Sequence, residues 1–148
     1  MKEYKWVFTG TTGAGKTTAI AAISEAPPVR TDVENTDASV DKASTTVGLD
    51  FGQLSLENGD RLRLFGTPGQ VRFDFMWKIL VKDAFGIVIL IDNSRPDPIA
   101  DLELYVKGFE SELLTTPCVV GVGRTENYGH PSLDDFSNFL EGKNLVLP

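Results

Sequence analysis

The clearest indication of the fold is the sequence Gly10-Thr11-Thr12-Gly13-Ala14-Gly15-Lys16-Thr17. It fits the pattern G-x-x-x-x-G-K-S/T in full and lies between a predicted strand and a predicted helix. Its three glycines allow the backbone to turn its N–H groups inward, and the start of the following helix adds a positive dipole end. Because such a loop surrounds phosphate oxygens, we expect it to bind a nucleotide.

Two side chains of this phosphate loop are expected to carry its chemistry. Lys16 would neutralise the β- and γ-phosphate oxygens, and the hydroxyl of Thr17 would coordinate Mg²⁺. The other residues predicted to contact the nucleotide here are Gly10, Thr12, Gly13, Ala14, Gly15 and Thr18. A glycine-rich turn with a chance lysine is the alternative explanation, and the strand and helix on either side argue against it.

The segments next to the loop set its context. Residues 4–9 are aromatic and β-branched and predict a strand. Residues 17–26 predict a helix with Ile20 and Ile23 on one apolar stripe, ended by Pro27-Pro28. Residues 29–46 have no usable periodicity, and we expect a long exposed loop there.

The remaining elements complete an α/β pattern. The alternation around Asn58-Gly59 predicts an antiparallel hairpin of residues 47–56 and 61–65. Further strands are predicted at 85–91, 117–122 and 144–147, and helices at 73–82, 101–114 and 133–141, the last capped by Ser132. The sum is a six-strand, mostly parallel sheet with one antiparallel hairpin.

Composition limits the class of protein further. The 148 residues, 41% hydrophobic and 24% charged, predict one globular domain. A net charge of −7 disfavours nucleic acid as a partner. Cys118 is the only cysteine and His130 the only histidine, so neither a disulfide within the chain nor a zinc site is expected, which fits the cytoplasm. The sequence shows no secretory, transmembrane or lipid-anchor signal, so no intrinsic membrane anchor is expected.

Two further segments carry a resemblance to a known family. They read Thr46-Val47-Gly48-Leu49-Asp50-Phe51 and Leu64-Phe65-Gly66-Thr67-Pro68-Gly69-Gln70-Val71-Arg72-Phe73. With the phosphate loop, they resemble the two switches of the Ras-like small GTPases, Thr-x-Gly-x-Asp-Phe and Asp-x-x-Gly-Gln-x-Arg-Phe. The second segment most resembles a bacterial branch, the gliding-motility regulators and related predicted ATP/GTP-binding proteins with Leu-Phe-Gly-Thr-Pro-Gly-Gln. The likeness runs over nearly the whole chain.

This resemblance implies a Ras-like G domain of the P-loop NTPase class, a small GTP-binding switch with slow Mg²⁺-dependent GTP hydrolysis and GTP or GDP as its ligand. It implies that Thr46 closes on Mg²⁺ and the γ-phosphate, that the Gly69 amide donates to the γ-phosphate, and that Gln70 orients the attacking water. Lys16, Thr46 and Gln70 are thus the expected catalytic set, with Thr17 and Thr46 on the metal. Alternatively, Thr46 only opens a strand and Gln70 only starts a helix.

The resemblance also implies partners and a missing segment. The loops at 29–46 and 66–80 would change between two states that GTPase-activating and effector proteins recognise, and Roadblock-type proteins often accompany bacterial members. A complete domain of this family would continue beyond residue 148 with the rest of the last strand, a base-contacting loop and a closing helix. We therefore expect a domain that is incomplete at its C-terminus.

The sequence departs from the family at the metal site. Gly66 stands where most members have the aspartate that holds a water on Mg²⁺. Mg²⁺ would then bind through Thr17, Thr46, phosphate and water. Asp50 or Asp92 could substitute from nearby strand ends, but a solvated or capping carboxylate is the favoured role for each of them.

A second departure affects the base. The family reads guanine with Asn-Lys-x-Asp, and the aligned residues here are Gly123-Arg124-Thr125-Glu126. Glu126 can still accept from guanine and Arg124 can stack on the ring, but Gly123 cannot replace asparagine. ATP therefore remains an alternative ligand. Two alternative functions also remain: a nucleotide-binding module with little hydrolysis, and a P-loop phosphotransferase or ATPase. Three arginines could supply positive charge to the transition state from within this chain, and surface ion pairing is the alternative role for each: Arg30, Arg72 and Arg95.

Overall fold

The computed structural model describes residues 1–34, 46–68 and 74–143. Their strands are β1 (Glu3–Gly10), β2 (Val29–Glu34), β3 (Thr46–Ser55), β4 (Arg61–Gly66), β5 (Gly86–Asp92) and β6 (Cys118–Gly123). Their helices are α1 (Lys16–Ile23), α2 (Asp74–Val81), α3 (Pro98–Gly108) and α4 (Leu133–Gly142), with a short 3-10 helix at Glu112–Leu114.

The strands form one sheet in the order β2-β3-β4-β1-β5-β6. The pairs β4-β1, β1-β5 and β5-β6 are parallel, whereas β2-β3 and β3-β4 are antiparallel. The predicted turn at Asn58-Gly59 joins β3 to β4, and Gly59 has the positive φ of 90° that such a turn requires. The structure thus confirms a mixed α/β, mostly parallel sheet of the kind that P-loop NTPases use.

The prediction of a loop at 29–46 is wrong for residues 29–34. Residues 29–34 form β2, which pairs with β3 from Val29 opposite Phe51 to Glu34 opposite Thr46. Hydrogen bonds to β3, the next strand along the chain, stabilise this segment, and no periodicity within residues 29–34 reveals such pairing. The predicted strand at 144–147 lies outside the described residues, as do residues 35–45. Five of the six predicted strands are therefore seen.

Two predicted helices have different ends in the structure. The helix predicted to reach residue 26 ends at Ile23, because Glu25 donates its N–H to the Gln53 carbonyl oxygen at 2.9 Å instead of continuing the helix. Ile23 is 40% exposed, and only Ile20 of the expected stripe is buried. The helix predicted at 101–114 starts earlier, at Pro98, and ends at Gly108.

Helices cover the two faces of the sheet. On one face, α2, α3 and α4 pack on the odd-numbered residues of β5 in a cluster that includes Ile89, Tyr105 and Cys118. On the other face, Ile20 of α1 packs with Phe8 and Leu64. Burial raises the pKa of the Cys118 thiol to about 12, as suits an inert core position. In the described part of the chain, the longest apolar helix is too short to cross a membrane.

Candidate functional site

The phosphate loop leaves the sheet between two parallel neighbours. Gly10 is the last residue of β1 and pairs with Leu90 of β5. Its φ is +144°, and a Cβ at this position would lie 2.2 Å from the backbone oxygen of Leu90. The close approach of the two backbones therefore requires glycine here.

The other two glycines shape the loop itself. Gly13 and Gly15 have φ of +84° and +102°, conformations that L side chains rarely adopt. Gly15 caps α1 without a side-chain hydrogen bond, so the first amide groups of the helix have no capping side chain. Because these N–H groups also lie at the positive end of the helix dipole, they suit an anion.

The side chain of Lys16 closes the mouth of the loop. Its ammonium group donates to the carbonyl oxygens of Gly10 at 2.7 Å and Thr11 at 2.8 Å, and the residue is only 8% exposed. Burial lowers the pKa of Lys16 to about 8, against the opposing charge of Asp50. A cation held this way can exchange its carbonyl partners for phosphate oxygens.

Thr17 lies beside a carboxylate. Its hydroxyl, on the exposed first turn of α1, donates to Oδ2 of Asp50 in β3 at 2.5 Å. Hydroxyl and carboxylate oxygens are the donors that Mg²⁺ prefers, and Mg²⁺ usually completes its shell with water and substrate phosphates. Thr17 and Asp50 would thus supply two of the oxygen ligands of a nucleotide-bound Mg²⁺. Residues 1–34, 46–68 and 74–143 contain no group of three or more acidic, histidine or cysteine side chains arranged for a metal.

The segment after β4 is held in place by hydrogen bonds at Thr67 and Pro68. Thr67 donates its hydroxyl to that of Thr9 at 2.8 Å and its N–H to the Phe8 carbonyl at 2.9 Å. The indole N–H of Trp77 in α2 donates to the carbonyl oxygen of Pro68 at 3.1 Å. Gly69, Gln70 and Arg72 lie outside the described residues, and of Thr46 and Arg30 only the backbone is described.

On the side expected to hold the base, Arg124 bridges two elements. Its Nη1 donates to the Gly13 carbonyl oxygen at 3.1 Å and lies 2.8 Å from Oδ2 of Asp92. The residue has a φ of +61°, which costs a non-glycine residue about 1 kcal/mol and is held by these contacts. The arginine thus ties the tip of the phosphate loop to the ends of β5 and β6.

Asp92 is a capping carboxylate in this arrangement. Burial opposes its ionisation, but hydrogen bonds from the hydroxyl and N–H of Ser94 and the charge of Arg124 outweigh burial and lower the pKa of Asp92. Glu126 is exposed on the loop after β6. Of the two carboxylates considered at the metal site, the structure brings Asp50, not Asp92, to Thr17.

Asn93 holds the loop beside Arg124 in place and was not among the residues predicted from the sequence. It is 2% exposed, and its amide donates to the carbonyl oxygens of Tyr128 and Pro131, at 2.5 and 3.1 Å. These bonds fix the far part of the loop that begins at Arg124. A polar residue directly after a buried strand was the available signal, because its side chain needs partners if it is buried.

The remaining candidates lie at the edge of the site or away from it. Thr12 and Thr18 are exposed on the loop and on α1. Arg95 forms an ion pair with Asp101, with Nε and Oδ2 2.6 Å apart. Of the two roles considered for Arg95, its contacts therefore match surface ion pairing. His130 is exposed.

Two curated relatives resemble the chain along much of its length. Uncharacterized protein MJ1339 of Methanocaldococcus jannaschii is 26% identical over 97% of this chain and 84% of its own length. Intraflagellar transport protein 22 of Chlamydomonas reinhardtii is 24% identical over 78% of this chain, and the match spans only 59% of that protein.

A family comparison supports nucleotide binding by this chain. The family described as conserved hypothetical ATP binding protein matches residues 29–123, well over half of the chain. The match begins after the phosphate loop, spans β2 to β6 and ends at Gly123, next to Arg124. The family description and the loop motif both indicate nucleotide binding. The chain belongs to this family of conserved hypothetical ATP-binding proteins.

Proposed function

We propose that this protein is a small GTP-binding switch that hydrolyses GTP slowly in the presence of Mg²⁺. The observation that supports it most is the phosphate loop, whose glycines take positive φ angles and whose Lys16 ammonium group is buried at its mouth. Unassisted small GTPases turn over on the order of 10⁻⁴ per second, so the two conformations and not the product would be the output.

Each residue would have a separate task in this function. Lys16 would leave the carbonyls of Gly10 and Thr11 for the β- and γ-phosphates. When bound, Mg²⁺ would neutralise charge on the same phosphates, with Thr17 among its ligands. By resemblance, Thr46 and the Gly69 amide would sense the γ-phosphate, and Gln70 would orient the water without titrating.

We also propose partners and a setting for the switch. The segments at 29–46 and 66–80 would face a GTPase-activating protein and effectors, including Roadblock-type proteins, in the cytoplasm. The string Leu64-Phe65-Gly66-Thr67-Pro68-Gly69-Gln70 supports a place near the bacterial gliding-motility regulators. These assignments rest on the resemblance of the sequence.

A nucleotide-binding module that accepts ATP and hydrolyses little is the second candidate. The family description names ATP, and Gly123 offers no side chain to a base. Arg124 already bonds to Gly13 and Asp92, which leaves the exposed Glu126 as the carboxylate available to read guanine. Loss of one polar partner can reduce discrimination between bases by orders of magnitude.

Competition between nucleotides separates these two candidates. A fluorescent GTP analogue would be bound to the protein in Mg²⁺ and displaced by unlabelled GTP or ATP. The switch proposal expects GTP to compete at least about tenfold better, a difference of about 1.4 kcal/mol. Equal competition or a preference for ATP would support the second candidate and contradict the GTPase proposal.

Hydrolysis needs its own experiment. Single-turnover release of γ-phosphate would be measured for the wild type, Gln70→Leu and Lys16→Ala. We expect Gln70→Leu to bind nucleotide normally but to release phosphate at least about tenfold more slowly, since the water loses its partner. Lys16→Ala should lose binding. Unchanged phosphate release in Gln70→Leu would mean that this glutamine does not act in hydrolysis.

A further inference from the structure

An apolar groove borders the C-terminal ends of α3 and α4. Its volume is about 330 Å³, and its apolar lining comes from Val106 of α3 and from Leu113 and Leu114 of the short 3-10 helix. This 3-10 helix precedes the start of β6, whereas the phosphate loop follows the end of β1. Because β1, β5 and β6 are parallel neighbours in one sheet, the groove lies at the edge opposite the phosphate loop.

The side chain of Leu114 projects from the rim of this groove. It is 81% exposed, whereas Val106 is buried and Leu113 packs partly buried against the core. Single exposed leucines are common on protein surfaces, but a leucine that borders an apolar groove forms a larger patch that an interface can bury. One surface thus carries both an apolar projection and an apolar recess.

The charged side chains around the groove balance one another. Two are acidic and two are basic, on a chain whose net charge is −7: Glu103, Lys107, Glu110 and Lys143. Lys143 and Glu103 pair with each other, with Nζ and Oε1 3.4 Å apart. Lys107 and Glu110 are exposed, and neither forms an ion pair within residues 1–34, 46–68 and 74–143. One cation and one anion next to the groove are therefore available to a partner.

We propose that two copies of this chain form a symmetric dimer through this groove. In a two-fold interface every contact is made twice, once in each direction, so a single surface must supply both members of each contact. Leu114 of one protomer would enter the groove of its partner, and Lys107 would pair with the partner's Glu110. The same two contacts would form in the opposite direction.

The charges around the groove favour a second copy over other occupants. A strongly acidic or strongly basic partner would find no excess of opposite charge there, because the four charged side chains sum to zero. A second copy offers one available cation and one available anion, which matches what the groove itself presents. Two chains of net charge −7 also repel each other, and neutral surfaces are where they can approach at least cost.

Sedimentation equilibrium of the full chain tests whether the dimer forms and whether Leu114 holds it together. We expect a monomer–dimer equilibrium with a Kd of about 100 μM or lower, as suits a small interface. Leu114→Asp should raise that Kd at least about tenfold, because it places a charge in the apolar contact. The matched control is Leu133→Asp, which alters another exposed leucine on the first turn of α4, away from the groove, and should dimerise as the wild type does.

Charge reversal tests the two-fold pairing itself. Lys107→Glu and Glu110→Lys each place like charges opposite one another, so each variant alone should dimerise at least about tenfold more weakly than the wild type. An equimolar mixture of the two variants should recover the association, because every facing pair of charges is then opposite in sign. Glu57→Lys, in the exposed turn between β3 and β4, changes the net charge as Glu110→Lys does and should leave the dimer unchanged.

Three results would overturn the inference. The first is a wild-type chain that stays monomeric at about 500 μM, where a Kd of about 100 μM would leave mostly dimer. The second is a Leu114→Asp protein that dimerises as the wild type does, and the third is a mixture of charge variants that associates no better than its components. A lower melting temperature for dilute Leu114→Asp would show that residues 144–148, which follow Lys143 at the groove, cover Leu114 within one chain, and this would also contradict the dimer.

Discussion

Lys16 is a buried lysine whose protonation should control nucleotide affinity. Its pKa of about 8 in the nucleotide-free protein means that the ammonium form is lost as pH rises through 8, whereas triphosphate binding favours that form. We therefore expect affinity to fall about tenfold between pH 7 and 9, with uptake of about half a proton per nucleotide at pH 8. Titration calorimetry in buffers of different ionisation enthalpy measures that uptake.

The matched control for this prediction is Lys16→Arg, because arginine keeps its charge across this range. It should show neither proton uptake nor the loss of affinity that the wild type shows.

The lowered pKa of Lys16 also affects folding: between about pH 8 and 10.5, the unfolded chain binds more protons at Lys16 than the folded chain. This residue therefore makes the nucleotide-free protein more stable as pH rises through that range. If nucleotide binding by the wild type took up no proton at pH 8, the pKa of about 8 for Lys16 would be wrong.

Gly10 and Gly13 separate two reasons for a glycine in the loop. Both have positive φ, but a Cβ at Gly10 meets the Leu90 backbone at 2.2 Å, whereas a Cβ at Gly13 has no atom within 4 Å. We expect Gly10→Ala to lower the free energy of unfolding by more than about 3 kcal/mol, and Gly13→Ala by about 1 kcal/mol. Urea denaturation of nucleotide-free protein measures both. Equal costs would show that the approach of β1 to β5 is not what requires Gly10.

Helix α2 is connected to the segment after β4 through Trp77. Its indole stacks on Tyr105 and Phe109, with ring centroids 4.7 and 5.6 Å away, and donates to the Pro68 carbonyl. The indole nitrogen of Trp6, in contrast, is buried and has no hydrogen-bond partner among the described residues. The two tryptophans therefore differ in what their N–H groups contribute.

Replacement of each tryptophan by phenylalanine tests this difference. Both variants lose ring volume, but only Trp77→Phe leaves the Pro68 carbonyl without its donor. We expect Trp77→Phe to cost about 1–2 kcal/mol more unfolding free energy than Trp6→Phe. Thermal and urea unfolding of the two variants measure the gap. A cost for Trp77→Phe no greater than that for Trp6→Phe would show that the hydrogen bond from Trp77 to Pro68 contributes little to stability.

Much of the element pattern could be predicted from the sequence because it is local. The phosphate loop, the Asn58-Gly59 turn and the Ser132 cap each carry their signal within a few residues, and the capping box at Ser132 and Asp135 is present. Strand β2 could not be predicted in this way, because its stability comes from pairing with β3. Helix α1 ends early for a similar reason, a bond from Glu25 to Gln53.

The sheet brings the parts of the candidate site together. The ends of β1, β4, β5 and β6 lie at one edge, because these four strands are parallel. The motif and this rule together predict the place of the loop. They do not predict that Arg124 contacts Gly13, 111 positions earlier, or that Asp50 contacts Thr17. Such contacts depend on register and side-chain conformation across the sheet.

The proposed function depends on the loop at residues 10–17 binding the phosphates of a nucleotide. Backbone amide NMR spectra, recorded while a non-hydrolysable GTP analogue is titrated in the presence of Mg²⁺, test this binding. We expect the amide signals of residues 13–18 to shift most and to saturate, and the same titration of Lys16→Ala to leave them unchanged at equal concentrations. Saturable shifts confined to other parts of the chain, or shifts that persist in Lys16→Ala, would contradict the claim.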